Sequence, residues 1–411
     1  MEKVNYITHL NAIFEMFNND ERIRQGHITL YLALFQKWNR KFFKKFILFL
    51  FVTSIFACSS DDEVGQSNSD NFDRQAMLAN WADHIIIPAY ENLATKTETL
   101  KIAGSDFRNA PNSANLDNLK NAWQTAYVSW QNAAMFEIGK AEELRLQNNL
   151  NIYPTNVEGL TDNVMTETYN LELPSEISTQ GFPALDYLLF GIQQDETAIM
   201  QFYQADANAG KYLQYIVDLT TRIDELVDVV LADWKGDYRT TFVENRGNSA
   251  NASVDKMVND YIFYYEKHLR AGKIGIPAGV FSGDVLSDRV EAFYKKDISK
   301  MLFMEGLDAV QNFFNGADFN GQNTGESMAS YLEYLDVQKG DVGLKDYINQ
   351  QFDAARTTAL KLNDNFVEQV ETDNVKMLET YDQLQLNVVN LKVDMLQAFN
   401  INVDFVDADG D

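Results

Sequence analysis

"YLQYIVDLTTRIDELVDVVLADW", Tyr212 to Trp234, carries apolar residues at Leu213, Ile216, Leu219, Ile223, Leu226, Val230 and Trp234. Steps of three and four place them on one broad face of a helix. "LDNLKNAWQTAYVSWQNAAMFEIGKAEELRL" (Leu116 to Leu146) repeats the pattern through Leu119, Trp123, Tyr127, Trp130 and Ala134. "ASVDKMVNDYIFYYEKHLRAG" follows, with Gly272 as its natural stop. "VEAFYKKDISKMLFMEGLDAVQNFFNG" and "LKDYINQQFDAARTTALKLNDNFVEQVETD" extend the same periodicity. Alternating strand runs are lacking, so the sequence predicts an all-α protein of long helices in antiparallel bundles.

A chain of 411 residues is long enough for two cores. A net charge of −26 argues against nucleic acid, which is bound by clustered lysine and arginine. It suits solubility and attracts cations without selecting a function.

The N-terminus departs from this composition. "KWNRKFFKK" (Lys37 to Lys45) is basic, "FILFLFVTSIFA" (Phe46 to Ala57) is apolar, and the sole cysteine, Cys58, comes next. That order reads as an export signal, too short to span a bilayer. "IFAC" resembles a bacterial lipobox, with Cys58 as the lipidated residue and bulky Phe56 an unusual occupant of its place. The residues before Lys37 fit no export signal, so translation is expected to start further downstream. Lipidation leaves no free thiol, and cleavage leaves only His84 and His268. "SSDDEVGQSNSDN" (Ser59 to Asn71) is a polar, acidic tether. The expected organisation is a signal region over 1–57, a lipidated tether over 58–71, helical bundles over 72–236 and 237–402, and an acidic tail over 403–411.

Two eleven-residue segments mark the two halves. "GFPALDYLLFG" (Gly181 to Gly191) and "GLDAVQNFFNG" (Gly306 to Gly316) share terminal glycines, alanine in fourth place and large apolar residues in the second, fifth, eighth and ninth. Each follows a helical block and precedes a polar or glycine-rich connection. An internal duplication, giving two related bundles with a cleft between them, is the expectation.

The first segment resembles the signature of the imelysin-like proteins, Gly-x-His-x-x-Glu followed by a Tyr-Leu-Leu-Phe-type run. "WQTAYVSWQNAAMFEIG", "NIYPTN" (Asn151 to Asn156) and the stretch from "KIGIPAGVFSG" to "FFNG" resemble further segments of that family. The likeness extends over residues 75–400. It implies two helical bundles, a site where they meet, export, and a link to iron uptake or regulation. The peptidase label in the family name does not carry over by resemblance alone.

The chain departs from the signature where chemistry would reside. Pro183 occupies the histidine place and Asp186 the glutamate place; the second segment has Asp308 and Gln311 there. A His and a Glu three residues apart on a helix can share one metal ion, whereas proline offers no lone pair. H-E-x-x-H is absent, so a zinc hydrolase of familiar layout is not expected.

Structural and functional readings stand side by side for several residues. Pro183 fits a first helical turn, with Gly181 as entry and Gly191 as exit. Asp186 reads as a cap, a buried hydrogen-bond acceptor or a ligand group. Glu137, among Met135, Phe136 and Ile138, needs a partner; Arg145 and Lys140 are within sequence reach, and the alternative is a cleft position. Trp123, Tyr127 and Trp130 read as core or as a platform for a sugar. Gly272, Gly275, Gly279 and Gly283 form a connection, or offer amides and Lys273 to an anion. His268 reads as packed, and "DFVDADGD" as a tail lacking a calcium loop's closing glutamate.

The resulting expectation is a lipid-anchored outer-membrane protein that binds without catalysis in an inter-domain cleft, in the iron-uptake orbit of its relatives. Cleft residues would be Gly181, Pro183, Asp186, Tyr187, Glu137, Asn151 and Lys273. Asp186 and Glu137 would be the candidates for iron or another divalent or trivalent cation, which favours oxygen ligands. An outer-membrane transporter is the expected partner. The alternatives are a metal-dependent peptidase, or a binding partner of a transporter or polysaccharide.

Overall fold

The described fold opens with Arg74–Asn80 (α1), which winds on as a wider π-helical turn into Ile87–Asn109 (α2). The computed structural model describes residues 70–247 and 249–405. The export segment, Cys58, most of the 58–71 tether and the end of the acidic tail therefore lie outside the described residues.

Helix α2 packs against Ser113–Trp130 (α3) and Ala209–Asp233 (α5), while the short Gly181–Asp186 (α4) lies against both α3 and α5. The Tyr212–Trp234 stripe does what its spacing predicts: Leu213, Ile216, Leu219, Ile223, Leu226 and Val230 are all buried. Further along come Ser253–Phe263 (α6), Ser299–Asn315 (α7), Leu344–Ala359 (α8) and Asn374–Val389 (α9). Helix α8 packs against α7 and α9, and α7 reaches back to touch α3. Among the described residues the only paired strands are the two-residue Gln338–Lys339 and Val342–Gly343, antiparallel to each other. The all-α expectation holds.

Three local readings change. The run from Leu116 to Leu146 is not one helix: α3 ends at Trp130, and two short helices follow at Lys140–Leu144 and Leu146–Leu150. Gly139 and Arg145, both at positive φ, break the winding. Gly272 does not stop its helix, which continues from α6 as a π-helical stretch, Tyr264–Gly275. Leu269, Ala271 and Ile274 stay buried there, so packing overrides a weak propensity. Finally, the two glycine-edged segments are built differently. Gly181 enters α4 at φ +77, whereas Gly306 sits inside α7 and only Gly316 ends a helix, at φ +69.

The Trp123, Tyr127 and Trp130 rings are buried core residues. The boundary read between residues 236 and 237 falls on a kink at Gly236, with buried apolar side chains on both sides of it in one continuous core. No helix among the described residues is long and apolar enough to cross a membrane.

Candidate functional site

The signature segment is shaped by close contact. A Cβ on Gly181 would lie 2.6 Å from the Leu150 carbonyl carbon and closer still to its oxygen. Only glycine takes both that approach and the positive φ. Pro183 stands in the first turn of α4, where its missing N–H leaves no helical bond unmade. The Phe182 ring stacks on Tyr127 at 4.7 Å, and the Phe182 carbonyl accepts from Trp123 Nε1 at 3.0 Å.

Asp186 ends α4 and is 2% exposed. Its two carboxylate oxygens accept the backbone N–H groups of Tyr294 at 2.8 Å and Lys295 at 2.9 Å. Tyr187 adds an edge-on contact to the Tyr294 ring at 5.2 Å. Both residues thus hold the loop that precedes α7. In that loop Ala292 and Lys296 have φ of 57 and 68 without being glycine. Such backbone persists only where its surroundings over-determine it. Burial pushes the Asp186 carboxyl up to about 7, against the pull of the two amides and Lys295.

Beside it lies a buried polar cluster. Lys273 Nζ donates to Glu291 Oε2 and to Gln131 Oε1, the latter at 2.8 Å. Asn151 Nδ2 donates to Glu291 Oε1 at 2.8 Å, and Asn151 Oδ1 accepts from the Tyr127 hydroxyl at 2.6 Å. The Ser299 hydroxyl closes the set on the Glu291 backbone carbonyl at 3.0 Å. Burial lowers the Lys273 pKa, while Glu291 pulls it back up. Residues 127–151 and 273–299 are therefore joined by the hydrogen bonds that Gln131 and Asn151 make to the Lys273–Glu291 pair, and such bonds are the condition under which a buried ion pair is tolerated.

The structure brings Asn151 and Lys273 together on Glu291, and Asp186 and Tyr187 together on the loop that follows it. Lys273 does not offer its charge to an open cleft: it is 3% exposed and engaged with Glu291 and Gln131. Glu137 belongs to neither group. Its Oε1 accepts from the Gln147 amide at 3.2 Å, which supplies the partner its apolar neighbours require, in place of Arg145 or Lys140. Burial pushes its carboxyl up to about 7. His268 is half-buried, and burial beside Lys273 holds its pKa down at about 4. Among the described residues no group of three or more His, Cys, Asp or Glu is disposed to hold a metal ion. Asp186 and Glu137 engage different backbone N–H groups and share no hydrogen-bond partner.

Tyr294 and Lys295 also border an open cleft of about 580 Å3, together with Phe190, Lys120, Asp117 and Glu196. The Lys120 and Lys295 ammonium groups lie 5.2 and 5.5 Å from the centre of the Phe190 ring. Lys120 also pairs with Glu196 at 2.9 Å. This is a polar cleft of both signs with an aromatic wall, and its size suits a small molecule. Sequence reasoning missed Glu291, Tyr294 and Phe190 as site residues. Glu291 had a readable signal, a carboxylate between the apolar residues Val290 and Ala292.

The buried carboxylates predict a pH dependence. Burial raises Asp186 and Glu137 to about 7 and Asp260 to about 8. Each holds its proton more tightly folded than unfolded, so its contribution is complete below the ordinary carboxylate range and is lost as pH rises through the folded value. Between pH 6.5 and 8.5 His268 acts in the opposite sense: its folded pKa is held down, so its contribution grows until pH passes the ordinary histidine range and offsets a small part of the fall at the low end of the window. Stability is expected to fall over that window by on the order of 2 kcal/mol. Thermal unfolding at constant ionic strength checks this; a flat or rising profile contradicts it.

Fold and site together define an all-helical protein whose first and second halves are tied by amides bonded to a buried ion pair and by a carboxylate-held loop. The chain belongs to the imelysin family, whose sequence model matches residues 86–391. It is similar to iron-regulated protein A of Synechococcus elongatus, 27% identical over 121 residues, covering 28% of this chain and 33% of that protein. The match thus spans about a third of the curated relative. Among solved structures it is similar to a candidate iron-regulated protein A precursor from Parabacteroides distasonis, with TM-score 0.65 and 16% identity over 81% of this chain and 97% of that one. It is also similar to an imelysin-like protein from Psychrobacter arcticus, with TM-score 0.62 and 17% identity over 81% of this chain and 97% of that one. At these identities the structures speak for the fold.

Proposed function

We propose that this chain is a non-catalytic binding lipoprotein, anchored through Cys58 to the outer membrane and working with an outer-membrane transporter in iron acquisition. The observation that carries the reading is Asp186. In the place where the signature has a glutamate, it spends both oxygens on the amides of Tyr294 and Lys295. With Pro183 in the histidine place, the segment acts as a latch and not as a pair of metal ligands. The latched loop forms one wall of the cleft beside Phe190, and cargo is held there. Paired lysines, carboxylates and an aromatic ring suit a polar chelate better than a bare cation. The iron association is drawn from the names of the relatives.

Titration calorimetry of the exported chain with ferric citrate, and separately with Fe3+, Zn2+ and Ca2+, tests this reading. Saturable binding of the chelate that weakens in Lys120→Ala is expected. Peptide cleavage abolished by a chelator of divalent metals would instead establish the enzyme. Asp186→Asn turns one acceptor into a donor facing a backbone N–H. Its expected cost is about 2 kcal/mol of stability, with weakened chelate binding although the residue does not line the cleft. Unchanged unfolding in this variant counts against the latch.

A further inference from the structure

A second cleft, of about 460 Å3, is built from residues between Glu143 and Leu226, none of them in the latch or the buried ion pair. Arg145 and Arg222 both line it, together with Glu143, which pairs with Lys140, and Glu172. Neither lies within ion-pair distance of a carboxylate among the described residues; Arg222 Nε donates to the side-chain Oε1 of Gln180 at 3.4 Å. This is unexpected in a chain of net charge −26, where acidic partners are abundant. Asn148 lines the same cleft, and no hydrogen bond engages its side-chain amide. Leu173, Pro174 and Ile177 supply an apolar part of the lining, with Leu173 half exposed.

The backbone gives a second, independent observation. Arg145 has φ 50 and ψ 55, the left-handed conformation that glycine adopts without strain. A helix ends and another begins at this residue. Glycine would serve both as a helix stop and as an entry, yet the position carries a long cation.

We propose that this cleft binds an amphiphilic organic oxyanion, a carboxylate or phosphate ester whose head meets Arg145 and Arg222 and whose apolar body lies on Leu173, Pro174 and Ile177. A guanidinium presents a planar fork that fits either oxyanion. Asn148 is placed to add a donor, and the apolar wall selects for a ligand with a hydrocarbon part. The proposal is independent of the cargo cleft beside Phe190.

Titration calorimetry of the exported chain with octanoate, octyl phosphate and inorganic phosphate at low salt tests it. Saturable binding of at least one amphiphile is expected, about tenfold weaker in Arg222→Gln. Arg145→Gly separates binding from folding: it removes the fork while relieving the backbone, so affinity falls while the unfolding temperature holds or rises. Tighter octyl phosphate identifies a phosphate ester as the ligand class, and tighter octanoate a carboxylate. Three outcomes overturn the proposal: no saturable binding of either amphiphile in the millimolar range, unchanged affinity in both variants, or inorganic phosphate binding as tightly as octyl phosphate.

Discussion

Lys273→Met is expected to destabilise the protein by about 3–5 kcal/mol, because it leaves the Glu291 carboxylate buried and without its cation. Glu291 is 2% exposed, and its remaining partners, Asn151 and Gln131, are neutral. Amide donors soften the loss but do not replace a charge. The double variant Lys273→Met/Glu291→Leu is expected to recover much of it, since apolar replacement of a whole buried pair is often neutral or better. Urea denaturation of wild type, both single variants and the double variant measures the coupling. A Lys273→Met variant within about 1 kcal/mol of wild type, or a double variant worse than the sum of the two singles, contradicts a coupled buried pair.

Gly181→Ala is the second large effect. The added methyl group meets the Leu150 carbonyl, which is backbone and cannot rotate away, and the residue must also hold φ +77. The two penalties together are expected to reach about 3 kcal/mol or more. The equivalent change in the other segment is the control. A Cβ on Gly306 meets Leu269 Cδ1 and the Tyr264 hydroxyl at 3.2 Å, both side-chain atoms and not backbone. Gly306 also lies within α7, where alanine has the better propensity. Gly306→Ala is therefore expected to cost no more than about 1 kcal/mol. Chemical denaturation of the two variants decides whether the segments are mechanically equivalent; equal losses would contradict the structure.

Helix type and helix face were legible throughout, because periodicity records which side chains must leave water. Tyr212–Trp234 shows this residue by residue. Breaks in the helices were less legible. The turn after Trp130 depends on Gly139, whose neighbour in space is the Tyr238 ring about a hundred residues away. No local pattern announces such a contact. Gly272 misled for the converse reason: its helix runs on because Leu269 and Ile274 have a core to enter. At the site, the family signature located Asp186 and its spacing raised the right alternatives, among them a buried hydrogen bond. Its acceptor role was undecidable, because the donors are main-chain N–H groups at Tyr294 and Lys295, which any residue type supplies. Lys273 and Glu291 were each visible as charges inside apolar runs. Reading them as a pair needs only the rule that a buried charge seeks its opposite.

The start of the described fold is tied to its end. Phe72 stacks on Tyr331 at 4.4 Å, and Tyr331 stacks on Phe399 at 4.4 Å, while the Asp70 carboxylate bonds the Tyr331 hydroxyl. Tension applied at residue 70 consequently meets three sandwiched rings before it reaches α1, and part of the load passes directly to the last helical turn. The chain is buckled at its point of departure, so a pull from that side loads both extremities in parallel instead of unzipping the first helix.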